Sequence, residues 1–283
     1  MTNLERSVMT LSCSDADNLP KVRDAGKIIE LDGELVQIMH NGVKVLAGGY
    51  YGDWMADIIR GLRGHHEPQE ELVFHHLLRF VRQKSVFVEL GAFWAYYSNW
   101  YLSDVFGSRA VCVEPDLNNM AVGQANIALN GHTAEFINAC VGGAFHPSIS
   151  MKRESDGVQV ELPVFCMADV VRAANAACIE ILHMDVQGAE HPFVSSMHDF
   201  VKAGRIRFLI VSTHHECISG SATTHQDCVH EIERMGGLIL CEHTVQESFS
   251  GDGLIVASFF PGDRMITLPE ISRNRASMSL FPS

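Results

Sequence analysis

From residue 86 onward, short apolar runs alternate with longer segments of helical periodicity. SVFVEL, RAVCVEP, AEFINACV, IEILHMDV, RFLIVSTHH and GLILCEH read as strands, mostly separated by helices at 96–106, 117–130, 169–177, 190–200 and 223–235. Near-continuous apolar strands alternating with helices predict a doubly wound α/β fold, with a mostly parallel sheet covered on both faces. ISMKRESDGVQVELPVF (149–165) interrupts the rhythm as a hairpin or loop. The closing strand pair in GGLILCEHTVQESFSGDGLIVASFF places an antiparallel strand at the end of the sheet.

The first third of the chain is patterned differently. Residues 1–27 show little periodicity and read as a loose lead-in or short capping element. ELVQIMHNGVKVLAGG (34–49) is a hairpin signal centred on Asn41-Gly42. GDWMADIIRGLRG (52–64) is amphipathic. EPQEELVFHHLLRFVRQ (67–83) opens with proline and acids, as a helix N-terminus favours, so Glu70 and Glu71 are expected to serve the helix dipole. These patterns divide the chain into a hairpin and helix extension at 1–66, acting as a lid or dimerisation element, and an α/β domain at 67–283, with a tail from 270.

Composition narrows the partners. Of 283 residues, 47% are hydrophobic and 19% charged, enough apolar content for a generous core. A net charge of −13 disfavours nucleic acid and anionic membrane surfaces, leaving small or uncharged partners. No apolar run approaches the roughly 18 residues of a membrane span, and the N-terminus has early acids, so cytoplasmic localisation without membrane insertion is expected. The eight cysteines show no CxxC spacing, and several lie in apolar runs such as AVCVEP and VFCMADV, where buried reduced thiols are expected. A homo-oligomer is compatible with the N-terminal elements.

The junction VFVELGAFWAYYSNWYLSD carries the chemistry. A strand ends in Glu89, passes through Gly91 and enters a helix, at the strand ends where open α/β sheets gather ligands. The next strand ends in Glu114 and Pro115, suited to accepting hydrogen bonds from a ribose diol. A dinucleotide site expects G-x-G-x-x-G, but Gly91 is followed by Ala92, Phe93, Trp94 and Ala95. S-adenosylmethionine, with a ribose, an ammonium and a carboxylate but no phosphate, suits this junction better than NAD.

VFVELGAFWAYYSNW, then VCVEPDLNNMAVGQANIALNG, FINACVGG and ILHMDVQGAE, in that order over about residues 67–259, resemble the FkbM-type family of S-adenosylmethionine-dependent methyltransferases. The resemblance implies a class I methyltransferase-like (Rossmann-like) domain. It places Glu89, Gly91 and the adjoining Ala92 beside the methionine portion of the cofactor, Glu114 and Pro115 at the ribose, and Cys140 and Val141 along the adenine. Asp185, with Gln187, Gly188 and Glu190, matches the signature at the cleft where donor meets acceptor. The chain departs from the usual wording at Phe93 and Ala95, where a small polar residue and glycine are commoner; alanine replaces glycine freely if the local φ is negative.

By this resemblance the acceptor is a sugar hydroxyl on a glycan or glycosylated natural product, with small-molecule N-methylation and, in another class, NAD-dependent oxidoreduction as alternatives. Methyl transfer to a hydroxyl needs alignment and a base. His214 or His215 is the expected base, with Asp185 as partner, although Asp185 also suits a turn cap. Asp185, His214, His215, Glu216 and His243 offer ligands to a divalent metal, with no set fixed by spacing. Tyr50, Tyr51, Trp54 and Trp94 are candidates to line a sugar face, and His65, His66 and Glu67 to bond its hydroxyls, while Trp54 also suits a core anchor. Asp252 reads mainly as turn chemistry.

Overall fold

The computed structural model describes residues 2–281. The chain opens with α1 (Asn3–Leu11), where a loose lead-in was expected. Thr2 accepts the Glu5 N–H and the Glu5 carboxylate accepts the Thr2 N–H, a reciprocal cap written in the sequence as T-x-x-E. Strands β1 (Ile28–Leu31), β2 (Glu34–Ile38) and β3 (Lys44–Leu46) form an antiparallel meander. The expected hairpin is its second half. The first half turns at Asp32-Gly33, both at positive φ (52° and 88°), which is the backbone a two-residue hairpin turn demands. Helices α2 (Asp53–Gly61) and α3 (Pro68–Leu77) follow.

The main body runs β4 (Val86–Leu90), α4 (Tyr96–Asp104), β5 (Arg109–Val113), α5 (Leu117–Leu129) and β6 (Glu135–Ile137). The FINACV run then breaks, because β7 (Cys140–Val141) leaves the main sheet to join β8 (His146–Lys152) and β9 (Gln159–Phe165) in a small separate sheet. After α6 (Met167–Ala174) come β10 (Ile179–Met184), α7 (Glu190–Ser195), α8 (His198–Lys202), β11 (Ile206–Thr213), α9 (Glu216–Ser219), α10 (Thr224–Arg234), β12 (Leu238–His243) and β13 (Gly253–Ser258). The seven-stranded order is β6-β5-β4-β10-β11-β13-β12. This is the expected class I methyltransferase-like sheet. One placement differs: antiparallel β13 sits between β11 and β12 instead of at the edge. The crossover through α10 carries β12 one strand beyond β11, and β13 turns back into the gap.

Alternation sorts the side chains of the central strands into two cores. Val86, Val88 and Leu90 of β4 join Leu182, Met184, Leu209 and Val211 beneath α6, α7, α8 and α10. Phe87, Ile181, Phe208 and Ile210 face the other way, against α2, α3, α4 and the N-terminal meander, in a cluster containing Trp94, Tyr96, Trp100 and Tyr101. Residues 39–59 therefore share a core with the sheet. Glu89, His183 and Ser212 continue this second face toward the carboxyl ends of β4, β10 and β11.

The open edge of β3 is satisfied by side chains of α5. Asn126 accepts the Leu46 N–H at 2.8 Å and donates to the Trp94 carbonyl at 2.9 Å, while Asn130 accepts the Lys44 N–H and donates to its carbonyl. Four residues apart, both amides lie on one helix face and act as a surrogate strand. Asn126→Ala is expected to lower stability by about 1–3 kcal/mol through two orphaned backbone groups; urea unfolding checks this, and an unchanged midpoint would contradict the role.

Candidate active site

At the junction opened by Glu89, β4 and β10 run so close that a Cβ on Gly91 would sit 1.7 Å from the Asp185 carbonyl oxygen. Gly91 has φ +76°. Only glycine fits this approach. The turn beyond it is strained: Phe93 and Ala95 also have positive φ, at 39° and 55°. The expectation that alanine substitutes for glycine through a negative φ is thus corrected. Ala95 occupies the left-handed region itself, fully buried at the head of α4.

This crossing floors a cavity of about 520 Å³. Glu89, Gly91, Ala92, Glu114, Pro115, Cys140, Val141 and Asp185 all line it, as do Tyr50, Tyr51, His66, Glu67, Trp94 and Gln187. Glu89 accepts both the N–H and the hydroxyl of Ser98. Glu114 accepts the N–H of Phe93 and of Asp116, one on each oxygen at 2.9 Å, so its orientation is fixed. Burial pushes each carboxyl up to about 7, against those donors and, for Glu89, against His183.

The β8–β9 arm, expected only as a hairpin or loop, supplies Met151, Lys152 and Glu154 to the same cavity. Asp116 holds it by accepting the N–H and hydroxyl of Ser155 at 2.9 Å. At the mouth, Tyr51 donates to Glu154 at 3.0 Å and accepts from Gln187 at 3.3 Å. Tyr50 stacks on Trp94 with ring centroids 4.5 Å apart, and Phe93 meets both tyrosines edge-on.

Several expected residues lie elsewhere. His215 caps α9 and stacks on Phe281 away from the cavity. Trp54 lies beneath the Arg6 guanidinium and beside Tyr51, without lining the cavity. His65 is wholly buried against Glu71. Glu190 is buried too, accepting the Gly188 N–H and sitting 2.6 Å from His214 Nδ1, so it braces the turn. Glu216 is exposed and His243 Nδ1 faces the Thr244 carbonyl, so the set considered for a metal does not converge.

His214 also stands behind the cavity instead of lining it. Its Nδ1 meets Glu190, and its Nε2 lies 3.2 Å from Asp185 Oδ1 and 3.6 Å from Asp252 Oδ1. The Asp185 contact is off the hydrogen-bond line, since Oδ1 has no hydrogen-bond partner, and we read it as an ion pair. Burial opposes the charge on His214, but Asp252, Asp185 and Glu190 together hold it well above the ordinary imidazole range. Both ring nitrogens thus face carboxylates inside the protein, which leaves neither turned to an acceptor in the cavity. Asp252, read from sequence as turn chemistry, is a half-buried member of this cluster, paired with Arg6 of α1 at 3.3 Å.

Sequence reading missed Glu70 and His183. Glu70 does not simply face the helix dipole: it lies 2.6 Å from His183 Nε2 and accepts the Ser212 hydroxyl at 2.9 Å. Glu71 is likewise buried, engaged by His65, His66 and two backbone N–H groups. A signal existed: a histidine inside the apolar run IEILHMDV requires a buried partner, and the adjacent acids of α3 are such partners.

A family model described as the methyltransferase FkbM domain matches residues 78–236, over half of the chain. The chain belongs to the FkbM methyltransferase family. It is an S-adenosylmethionine-dependent methyltransferase, with the cofactor that the acidic junction suggested. No match is found among curated proteins. Among solved structures it is similar to the cofactor-bound Rv0187 from MTB (13% identity, TM-score 0.44, covering 68% of this chain and 79% of that one). It is also similar to the O-methyltransferase TomG from Streptomyces achromogenes, in complex with SAM (14%, 0.42, covering 67% and 78%). The fold assignment rests on the family and on the sheet order. The cavity fits the cofactor by its size, by the approach that only glycine permits, and by the lining side chain of His183, whose buried Nδ1 has no partner.

With Glu89 and Glu114 both near 7, the ligand-free methyltransferase carries protons on them that the unfolded chain releases at lower pH. This contribution to stability is full below about pH 4.5 and is lost as pH rises through about 7. The family resemblance implies that Glu89 meets the ammonium and Glu114 the ribose diol, and such partners favour the ionised carboxylates instead. Cofactor affinity is therefore expected to rise between pH 6 and 8, with protons released on binding. Calorimetry in two buffers of different ionisation enthalpy measures this; proton uptake would contradict it.

Proposed function

We propose that this methyltransferase methylates a sugar hydroxyl on a glycan or glycosylated natural product, with Asp185 as the group that takes the hydroxyl proton. The observation carrying this reading is the pairing of Asp185 with an aromatic and acidic wall on one side of the cavity. Tyr50, Tyr51, Phe93 and Trp94 present apolar surface, and Glu67, Asp185 and Gln187 present hydrogen-bonding groups, a combination suited to a polyhydroxylated ring.

Bound S-adenosylmethionine supplies an electrophilic methyl group on a sulfonium, whose sulfur keeps the electron pair when the new carbon–oxygen bond forms. Asp185, with Oδ1 buried against His214, turns its other oxygen to the acceptor and receives the proton. His214 acts as the positioning residue, fixed by Glu190 and Asp252. Glu67 and Gln187 bond neighbouring hydroxyls. Residues 48–52 form the lid, held closed through the contacts of Tyr51 with Glu154 and Gln187. No helix among the described residues is long and apolar enough to cross a membrane.

A methyl-transfer screen over glycosides and matched amino sugars tests the acceptor. With the best glycoside, Asp185→Asn is expected to lower kcat by about 10²- to 10⁴-fold and change cofactor Kd by less than about tenfold. Transfer confined to amines, or an Asp185→Asn enzyme within about tenfold of wild type, would sink the hydroxyl reading.

A further inference from the structure

One buried polar atom in the cavity is left over by the mechanism. His183 is 3% exposed, lines the cavity, and has no hydrogen-bond partner at Nδ1. Its other nitrogen is committed, because Nε2 faces the Glu70 carboxylate at 2.6 Å and Glu70 is anchored in turn by Ser212. The ring is held from the side by Tyr97, with centroids 4.5 Å apart. An imidazole locked this way has no freedom to satisfy Nδ1 within the protein. Leaving such an atom orphaned costs free energy, and a ligand that pairs with it recovers that cost.

The neighbour of His183 indicates which ligand group fits. His183 on β10 is directly in register with Glu89 on β4, and both line the cavity. With Nε2 committed to Glu70, Nδ1 is the ring position left to face a ligand, and although burial disfavours the charged ring, Glu70, Glu89 and Asp185 raise His183 above its ordinary pKa and so favour a proton there. A cationic donor beside a carboxylate at the end of two adjacent strands is complementary to an α-amino acid zwitterion.

We propose that His183 receives, through Nδ1–H, the carboxylate of the methionine portion of S-adenosylmethionine, while Glu89 beside it takes the ammonium. This rests on the cofactor assignment above. It makes His183 a cofactor-specificity residue and Glu70 the positioning residue that orients it. It also accounts for the deep burial of an acid at the start of α3.

The test compares the affinities of S-adenosylmethionine and decarboxylated S-adenosylmethionine, which keeps the ammonium and lacks the carboxylate, by calorimetry. Wild-type protein is expected to prefer the intact cofactor by about 10- to 100-fold, as for one charge-assisted hydrogen bond. His183→Gln is expected to reduce that preference to about threefold or less, with affinity for the decarboxylated compound changed by less than about twofold. A wild-type preference near one overturns the inference without any variant being needed. So does a variant that weakens both ligands equally, because that marks a merely structural histidine. Binding of neither compound by folded wild-type protein would instead overturn the cofactor assignment, and the inference with it.

Discussion

Gly91 passes so near the Asp185 carbonyl that β4 and β10 leave no room for a side chain between them, and the geometry of the cavity follows from that approach. The sheet order reverses here: β5 and β6 lie to one side of β4, and β10, β11, β13 and β12 to the other. Chains leaving two adjacent strands in opposite directions open a crevice at their carboxyl ends. Because the crossing is tight, Glu89, His183 and Asp185 converge on one space, and the turn through Phe93 and Ala95 accepts left-handed backbone to bring the aromatic wall over it.

A second constraint is the burial of acids against histidines on one face of the sheet. Glu70 with His183, and Glu71 with His65 and His66, fasten the first turn of α3 by polar contacts, while Val73, Phe74 and Leu77 supply its apolar face. Each lone charge would be costly in this environment, so each member depends on its partner. The burial that would penalise Glu71 is outweighed by the two imidazoles, which hold its carboxyl well below the usual range, while His66 rises to about 10. The same logic clasps His214 among Asp185, Glu190 and Asp252. These pairs hold His66 and His183 in place at the cavity wall before anything binds.

Two additions outside the alternating strands and helices close the cavity. The β8–β9 arm is tied down by Asp116, and the N-terminal meander by the amides of Asn126 and Asn130. They meet across the mouth through Tyr51 and Glu154, 103 residues apart in sequence.

The sequence by itself determined the α/β class, the strands ending in Glu89, Glu114 and Asp185, and the choice of cofactor, because apolar periodicity and residue type are local properties. It also determined that Gly91 marks a tight passage. The tertiary structure alone decided which side chains share a face and which partners they find. FINACV looked like one strand, yet backbone pairing divides it between two sheets. The two histidines of STHHE are equivalent in sequence, but extended backbone points them in opposite directions, sending one to three carboxylates and the other to Phe281. Glu70 and His183, 113 residues apart, become partners only when α3 packs on the sheet. Long-range pairing of this kind leaves no trace in local pattern beyond a polar residue in an apolar run, which signals that a partner exists without saying where it lies.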